Sequence, residues 1–337
     1  MHMSPSSEFE DILNGNGDFV ANELWRRLDP DNWPFDFAQL PEGTVLVGGA
    51  VRDALLNRLK AKPDLDFVVP KNAIQVTTNL AQKIGGTSFV LDINRDMARW
   101  SWKGWTFDFA SQMGISIEED LFRRDFTINS IALTLKNEHV VIDPTGGIKD
   151  LRSKILRAVS EQNLIEDALR PLRGMRLMAD LDLAIESQTR TFIKTSSKLL
   201  RNIAPERIQL ELQRIVSIPN SDEVISLIQS FGFLGLWREE SSISSRKMPT
   251  FSDAKCLKSN ELETALPLLR LTHLISNEGL TYLLFSKQQR RRSKLLKYWL
   301  NNYDEMAFTT LSEENRFKLH KDLEEYLPAL ILYLPHN

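Results

Sequence analysis

One stretch constrains this chain more than any other. A β-branched run ends in paired glycines, Thr44-Val45-Leu46-Val47-Gly48-Gly49, and two acids one residue apart follow at Asp64-Leu65-Asp66. From Ala50 to Leu59 the apolar residues Val51, Leu55, Leu56 and Leu59 recur at helical spacing, so the order predicted is strand, glycine turn, helix. Backbone N–H groups at such a helix start favour an anion. Leu65 to Val69 reads as a second strand. Strand side chains alternate, so Asp64 and Asp66 project from one face, ~6.5 Å apart along the chain. That suits two hard cations such as Mg²⁺, which paired sites hold ~3.5–4 Å apart. Taken singly, each pattern also describes a polar turn or a half-exposed strand; their spacing joins an anion seat to a cation clamp.

Further segments carry charge in patterned form. In Arg123-Arg124-Asp125-Phe126-Thr127-Ile128-Asn129, a guanidinium can hold a triphosphate bidentately while an aspartate accepts a hydrogen bond from a ribose 2′-OH; a surface ion-pair cluster is the other reading. Asp143-Pro144-Thr145-Gly146-Gly147 comes next, then Glu166-Asp167-Ala168-Leu169-Arg170 with Arg173, and Glu206-Arg207-Ile208. A helix predicted over 163–181 places Asp167 and Arg170 on one face, with side-chain roots ~5–6 Å apart, and Arg173 extends the stripe. Cytosine and adenine both present an exocyclic amine beside a ring acceptor, which a fixed carboxylate and guanidinium can match. Uracil and guanine reverse that order, and two unpaired polar groups at ~1–3 kcal/mol each would reject them. The same residues also describe a helix salt bridge worth only ~0.3–0.5 kcal/mol.

Asp108, in Trp105-Thr106-Phe107-Asp108-Phe109, is a candidate third carboxylate or general base, or an edge-strand charge. Trp100, Trp102 and Trp105 read as packing rather than as stacking platforms for a base. Lys287, Arg290, Arg291, Arg292, Lys294 and Lys297 form the densest basic cluster, suited to an RNA backbone or to a solvated helix face.

With these motifs in order, residues 43 to 216 resemble the class II tRNA nucleotidyltransferase and bacterial poly(A) polymerase family of the DNA polymerase β superfamily. The resemblance implies an α/β nucleotidyltransferase head, a mixed sheet with flanking helices, followed by an all-α neck and body. It implies catalysis by Asp64 and Asp66, with two Mg²⁺ on them and with CTP and ATP as substrates; Asp108 is the further catalytic candidate from the residues themselves. Nucleotide contacts are implied for Gly48, Gly49, Arg52, Asp53, Arg124, Asp125, Asn129, Asp167, Arg170, Arg173 and Arg176. Glu206 and Arg207 are expected to brace the nucleotide-selecting helix, and Arg290, Arg291, Arg292 and Lys294 to touch RNA. The expected reaction is template-independent addition of C, A or both to a tRNA 3′ end. A poly(A) polymerase and a noncatalytic tRNA-binding module are the alternatives. Only Phe109 to Phe122 separates the Asp108 strand from Arg123, which resembles members that add two cytidines and leave adenosine to a separate enzyme.

Composition is that of an ordinary globular enzyme, 42% hydrophobic and 26% charged. A net charge of −3 means that RNA contact must come from a local basic surface. Cys256 is the only cysteine, which excludes an intrachain disulfide or a cysteine zinc site and points to the cytoplasm. No apolar run approaches the ~20 residues of a membrane-spanning helix, so no membrane partner is expected. The five histidines are scattered without ligand spacing. The expected organisation is a loose tail over 1–18, a catalytic head over 19–159, a helical neck over 160–217 and a helical body over 218–337, with strand signals ending near Ser160 and a linker over 240–258.

Overall fold

A computed structural model describes residues 17–136, 138–240, 257–303 and 305–333. Most of the expected tail and linker, Cys256 included, lies outside the described residues. The chain divides into two compact units. The first runs to Asn163 and takes in Ala184–Glu186; the second holds Leu164–Leu183 and the residues from Ser187 onward.

The first unit contains α1 (Gly17–Leu28), β1 (Val45–Val47), α2 (Gly49–Leu55), β2 (Asp64–Val69), α3 (Ala73–Ile84), β3 (Thr87–Asp92), β4 (Met97–Trp102), β5 (Trp105–Ser111), α4 (Ile117–Phe122), β6 (Ala132–Thr134), β7 (Val141–Ile142), α5 (Gly147–Arg152) and β8 (Ile155–Leu156). The first seven strands make one mixed sheet in the order β3-β4-β5-β2-β1-β6-β7, in which only β2 and β5 pair in parallel. Alternation along β2 buries Leu65 and Phe67 on one side, where Phe67 stacks on Phe109 at 5.0 Å and Phe35 meets Phe67, Trp100 and Phe107 edge-on. On the opposite side, Val45, Val47, Val68 and Ala132 pack under Leu121 of α4. The carboxylates of β2 continue that second face.

Helix α2 is shorter than the apolar spacing predicts. It stops at Leu55 because Asn57 takes a left-handed φ of 51°, which asparagine tolerates, and Leu59 falls beyond it. Arg27 of α1 donates to the carbonyls of Ala54 and Leu55 at the end of α2. Trp100 is fully buried, donates to the Gly85 carbonyl and stacks on Phe107, as packing requires.

Helix α6 (Glu161–Glu166) spans the division between the units, and α7 (Arg170–Leu181) opens the second. Strand signals do not end at Ser160: β9 (Ala184–Ile185) pairs in parallel with β8 and belongs to the first unit. Two residues are too few to show a period of two, which hides this strand in the sequence. Among the described residues, the rest of the second unit is helical: α8 (Ser187–Ser196), α9 (Pro205–Ser217), α10 (Asp222–Ser230), α11 (Ser259–Leu274), α12 (Asn277–Tyr282), α13 (Lys287–Asn302), α14 (Glu305–Thr309), α15 (Glu313–Leu323) and α16 (Leu327–Tyr333). Leu266, Leu269, Leu296, Trp299, Leu323 and Leu330 centre its core. Fully buried Arg270 donates to the carbonyls of Val216, Ile218 and Pro219 and to the Asp222 carboxylate, closing the end of α9. No described helix is long and apolar enough to cross a membrane.

Candidate active site

The acids stand where strand geometry puts them. Asp64 and Asp66 share a face of β2, and the parallel register sets Asp66 beside Asp108 of β5. Asp108 is not a bare edge charge. Arg99 lies opposite it across the antiparallel β4–β5 pair and grips both carboxylate oxygens, Nε to Oδ1 at 2.6 Å and Nη2 to Oδ2 at 2.7 Å. The Asp108 hydrogen bond raises the Arg99 pKa above its usual value; burial opposes this, and the charges of Asp108, Asp64 and Asp66 add to it. Sequence reading missed Arg99, although a signal existed. Lys103 and Gly104 both take positive φ in a two-residue turn that pairs Trp102 with Trp105, so counting back pairs Arg99 with Asp108.

Gly48 joins the acids to the basic groups. Its φ of 76° and ψ of −135° suit only glycine, and a Cβ there would lie 3.2 Å from Asp66 Oδ2 and 3.6 Å from Arg124 Nη1. Carboxylate and guanidinium thus both approach the bare backbone at the start of α2. With seven residues, α2 supplies little dipole, so the positive charge there comes from side chains, Arg124 beside Gly48 and Arg52 beside Gly49. Arg124 is steered by the buried Asp120 one turn earlier on α4, Nη2 to Oδ2 at 3.1 Å, and Asn163 holds the same turn by donating to the carbonyls of Phe122 and Arg124. Neither Asp120 nor Asn163 was singled out in the sequence; the four-residue spacing of Asp120 to Arg124 was the available signal.

Arg52 is buried, donates to Asp53 at 2.9 Å and reaches Asn129 Oδ1 at 2.6 Å. Asn129 Nδ2 in turn donates to Asp125 Oδ1 at 3.1 Å, and that oxygen also accepts the Phe126 N–H. Four expected nucleotide residues therefore form one connected network. The Asp143-Pro-Thr-Gly-Gly segment supports it from behind. Asp143 accepts the Gly147 and Ile148 N–H groups, and burial, with the Asp150 charge, raises its pKa despite those bonds. A Cβ on Gly147 would sit 2.2 Å from the Thr127 carbonyl, so only glycine lets α5 approach the turn carrying Asn129.

The second unit corrects the helix-face reading of Asp167. That residue lies in a bend between α6 and α7, because Pro171, with no N–H to give, marks a helix start rather than a helix interior. Its salt-bridge partner is Arg207, Nη2 to Oδ2 at 2.9 Å, and its Oδ1 accepts the Leu169 N–H. Burial pushes the Asp167 pKa up, but the Leu169 bond, Arg207 and Arg173 outweigh it and the net shift is downward. Arg170 begins α7 and donates its backbone N–H to the Asp167 carbonyl. Arg173 and Arg176 face Glu211 of α9 at 3.8 and 2.7 Å, a buried acid that the sequence did not reveal. Glu206 is exposed in the first turn of α9, whereas Arg207 makes the contact to Asp167.

The basic cluster on α13 divides. Arg292 is buried, donating to the Asp322 carbonyl at 2.7 Å and to Glu324, so its expected RNA role gives way to a structural one. Lys297 is likewise buried on Glu239 and the Ile275 carbonyl. Lys287, Arg291 and Lys294 are exposed, and half-buried Arg290 donates to the Thr281 hydroxyl. Among the described residues, no three His, Cys, Asp or Glu side chains already converge as a metal-holding group.

Residues 44–157 match the family described as "Poly A polymerase head domain", and residues 182–236 the one described as "Probable RNA and SrmB- binding site of polymerase A". The head-domain match falls within the first unit. The chain is 39% identical over 212 residues to a CC-adding tRNA nucleotidyltransferase of Synechocystis sp., covering 63% of this chain and 51% of that one. It is 36% identical over 201 residues to an A-adding tRNA nucleotidyltransferase of Deinococcus radiodurans, covering 58% and 45%. The chain thus spans about half the length of the curated relatives it matches. A crystal structure of a tRNA nucleotidyltransferase complexed with a primer tRNA and an incoming ATP analog aligns with a TM-score of 0.67 at 26% identity, over 86% of this chain and 90% of that one.

Proposed function

We propose that this protein is a template-independent nucleotidyltransferase that adds C, A or both to tRNA 3′ ends from CTP and ATP, releasing pyrophosphate. The observation that carries this reading is the approach of both the Asp66 carboxylate and the Arg124 guanidinium to the bare backbone of Gly48. A polyphosphate needs a positive, side-chain-free seat, and phosphoryl transfer needs hard oxygen ligands beside it. The donor set at Asp64 and Asp66 is all carboxylate and fits Mg²⁺ in kind. When bound, such ions would activate the attacking hydroxyl and steady the charge on the leaving phosphates.

The chain's own residues do the rest. Arg124, set by Asp120, and the Gly48 backbone hold the phosphates; the network of Arg52, Asn129 and Asp125 presents a carboxylate suited to a ribose hydroxyl. Within the second unit, the Asp167 carboxylate, held by the Leu169 N–H and Arg207, is suited to accept from an exocyclic amine. The short Phe109–Phe122 segment favours addition of the two cytidines. The names of the relatives, CC-adding and A-adding, make this the point to test.

The decisive experiment assays Asp64→Ala with Asp66→Ala for labelled CMP or AMP incorporation into tRNA lacking its 3′ end. A loss of about a thousandfold or more is expected; undiminished incorporation discards the reading. Supplying CTP alone, ATP alone and both to ends of each length assigns the nucleotide added. Processive ATP addition to unstructured RNA would instead favour a poly(A) polymerase.

A further inference from the structure

Within the carboxylate face, Arg99 grips the catalytic candidate Asp108 by both oxygens. In the sheet order β4-β5-β2, Arg99 stands on one side of Asp108 and Asp66 on the other. The fork therefore turns the Asp108 carboxylate toward β4 and away from β2. This agrees with the lack, among the described residues, of a three-acid cluster, even though three acids share the face. The grip is releasable, since the Arg99 side chain keeps 38% of its surface exposed and Asp108 keeps 22%, leaving the guanidinium room to swing outward.

We propose that Arg99 is a positioning residue that withholds the third carboxylate: in the nucleotide-free protein a divalent cation meets a site made by Asp64 and Asp66, and Asp108 joins it only when Arg99 lets go. Arg99 and the cation then compete for the same oxygens. This rests on the reading that the Asp64–Asp66 face takes divalent cations. It goes beyond that reading by assigning a built-in competitor to the third acid.

The test is Mn²⁺ titration of the full, metal-free and nucleotide-free chain, followed by the electron paramagnetic resonance signal of unbound Mn²⁺. Arg99→Lys keeps the charge and loses the fork, while Arg99→Met loses both. Each is expected to tighten Mn²⁺ binding by about three- to tenfold. Each is also expected to lower the Mg²⁺ concentration that half-saturates nucleotide incorporation. In an Asp108→Asn background the gain from Arg99→Met disappears. Unchanged Mn²⁺ affinity in Arg99→Lys overturns the proposal. So does a gain that persists with Asp108→Asn, because charge removal alone would then explain it. The underlying reading fails separately, if wild-type protein binds no Mn²⁺ or binds it equally well after Asp64→Asn with Asp66→Asn. Arg99→Lys preserves the charge balance of the face, so a folding defect in Arg99→Met leaves the test intact.

Discussion

The two units handle charge in opposite ways. In the first, acids are laid out by strand register on one face, and the partners that orient them, Arg99 for Asp108 and Asp120 for Arg124, lie within nine residues in sequence. In the second, ion pairs join segments far apart: Arg207 with Asp167, Arg176 with Glu211, Arg270 with Asp222, Lys297 with Glu239. A site built by local register can be rearranged by a bound ligand at little cost to the fold. A site built from distant helices is bound up with the packing itself. Chemistry placed in the first unit and fit in the second is what this contrast predicts, and three substitutions probe it beyond the carboxylate variants.

The largest effect on stability belongs to the second unit. Arg270→Met leaves the Asp222 carboxylate and three carbonyls at the end of α9 without their donor, where the guanidinium itself is fully buried. Breaking a buried pair in this way costs about 3–5 kcal/mol. Urea denaturation of the full chain measures it, and a loss under about 1 kcal/mol would mean that water replaces the arginine and that the helical unit is less tightly built than the contrast requires.

Next comes Gly48→Ala in the first unit. The backbone there is at φ 76°, and the added methyl would press on Asp66 Oδ2 at 3.2 Å. Strain of this kind costs about 1–3 kcal/mol, yet nucleotide incorporation is expected to fall further than stability does, because the methyl occupies the space between the acid and Arg124. Equal losses in the two measurements would make Gly48 a purely structural residue.

How much was legible follows the same division. The alternation of Asp64-Leu65-Asp66 and the glycine pair predicted the carboxylate face and the turn beside it, because strand geometry and positive φ are local properties. The Asp167 partner was not legible: Arg207 lies on another helix, and nothing local separates it from Arg170, which has the more suggestive spacing. The basic run on α13 misled for the same reason, since the acids that bury Arg292 and Lys297 come from Glu324 and Glu239, in other segments. Glu211 was hidden as an acid on an amphipathic helix until α7 packed its arginines against it.

The smallest expected effect sharpens the comparison most. Asp167 has a lowered pKa, held down against burial by the Leu169 N–H, Arg207 and Arg173, so the folded state binds its proton more weakly than the unfolded chain does. The stability this contributes is fully present above the unfolded carboxylate pKa of about 3.9 and is lost as pH falls through the lower folded value. Arg207→Met removes one of these partners. Because the Arg207 side chain is 48% exposed, the cost near neutral pH is only about 0.5–1 kcal/mol. The gap between variant and wild type should begin to narrow as pH drops below about 4 and close as pH falls through the lower folded value, where Asp167 is protonated in both. The same variant is expected to blur the choice between CTP and UTP by about three- to tenfold, because a carboxylate free to turn no longer insists on an amine donor. Denaturation curves across pH and paired incorporation assays separate the two consequences. A stability gap that does not narrow on acidification, with nucleotide choice unchanged, would mean that Arg207 contributes by something other than its charge on Asp167 and would leave base selection to the arginines of α7 alone.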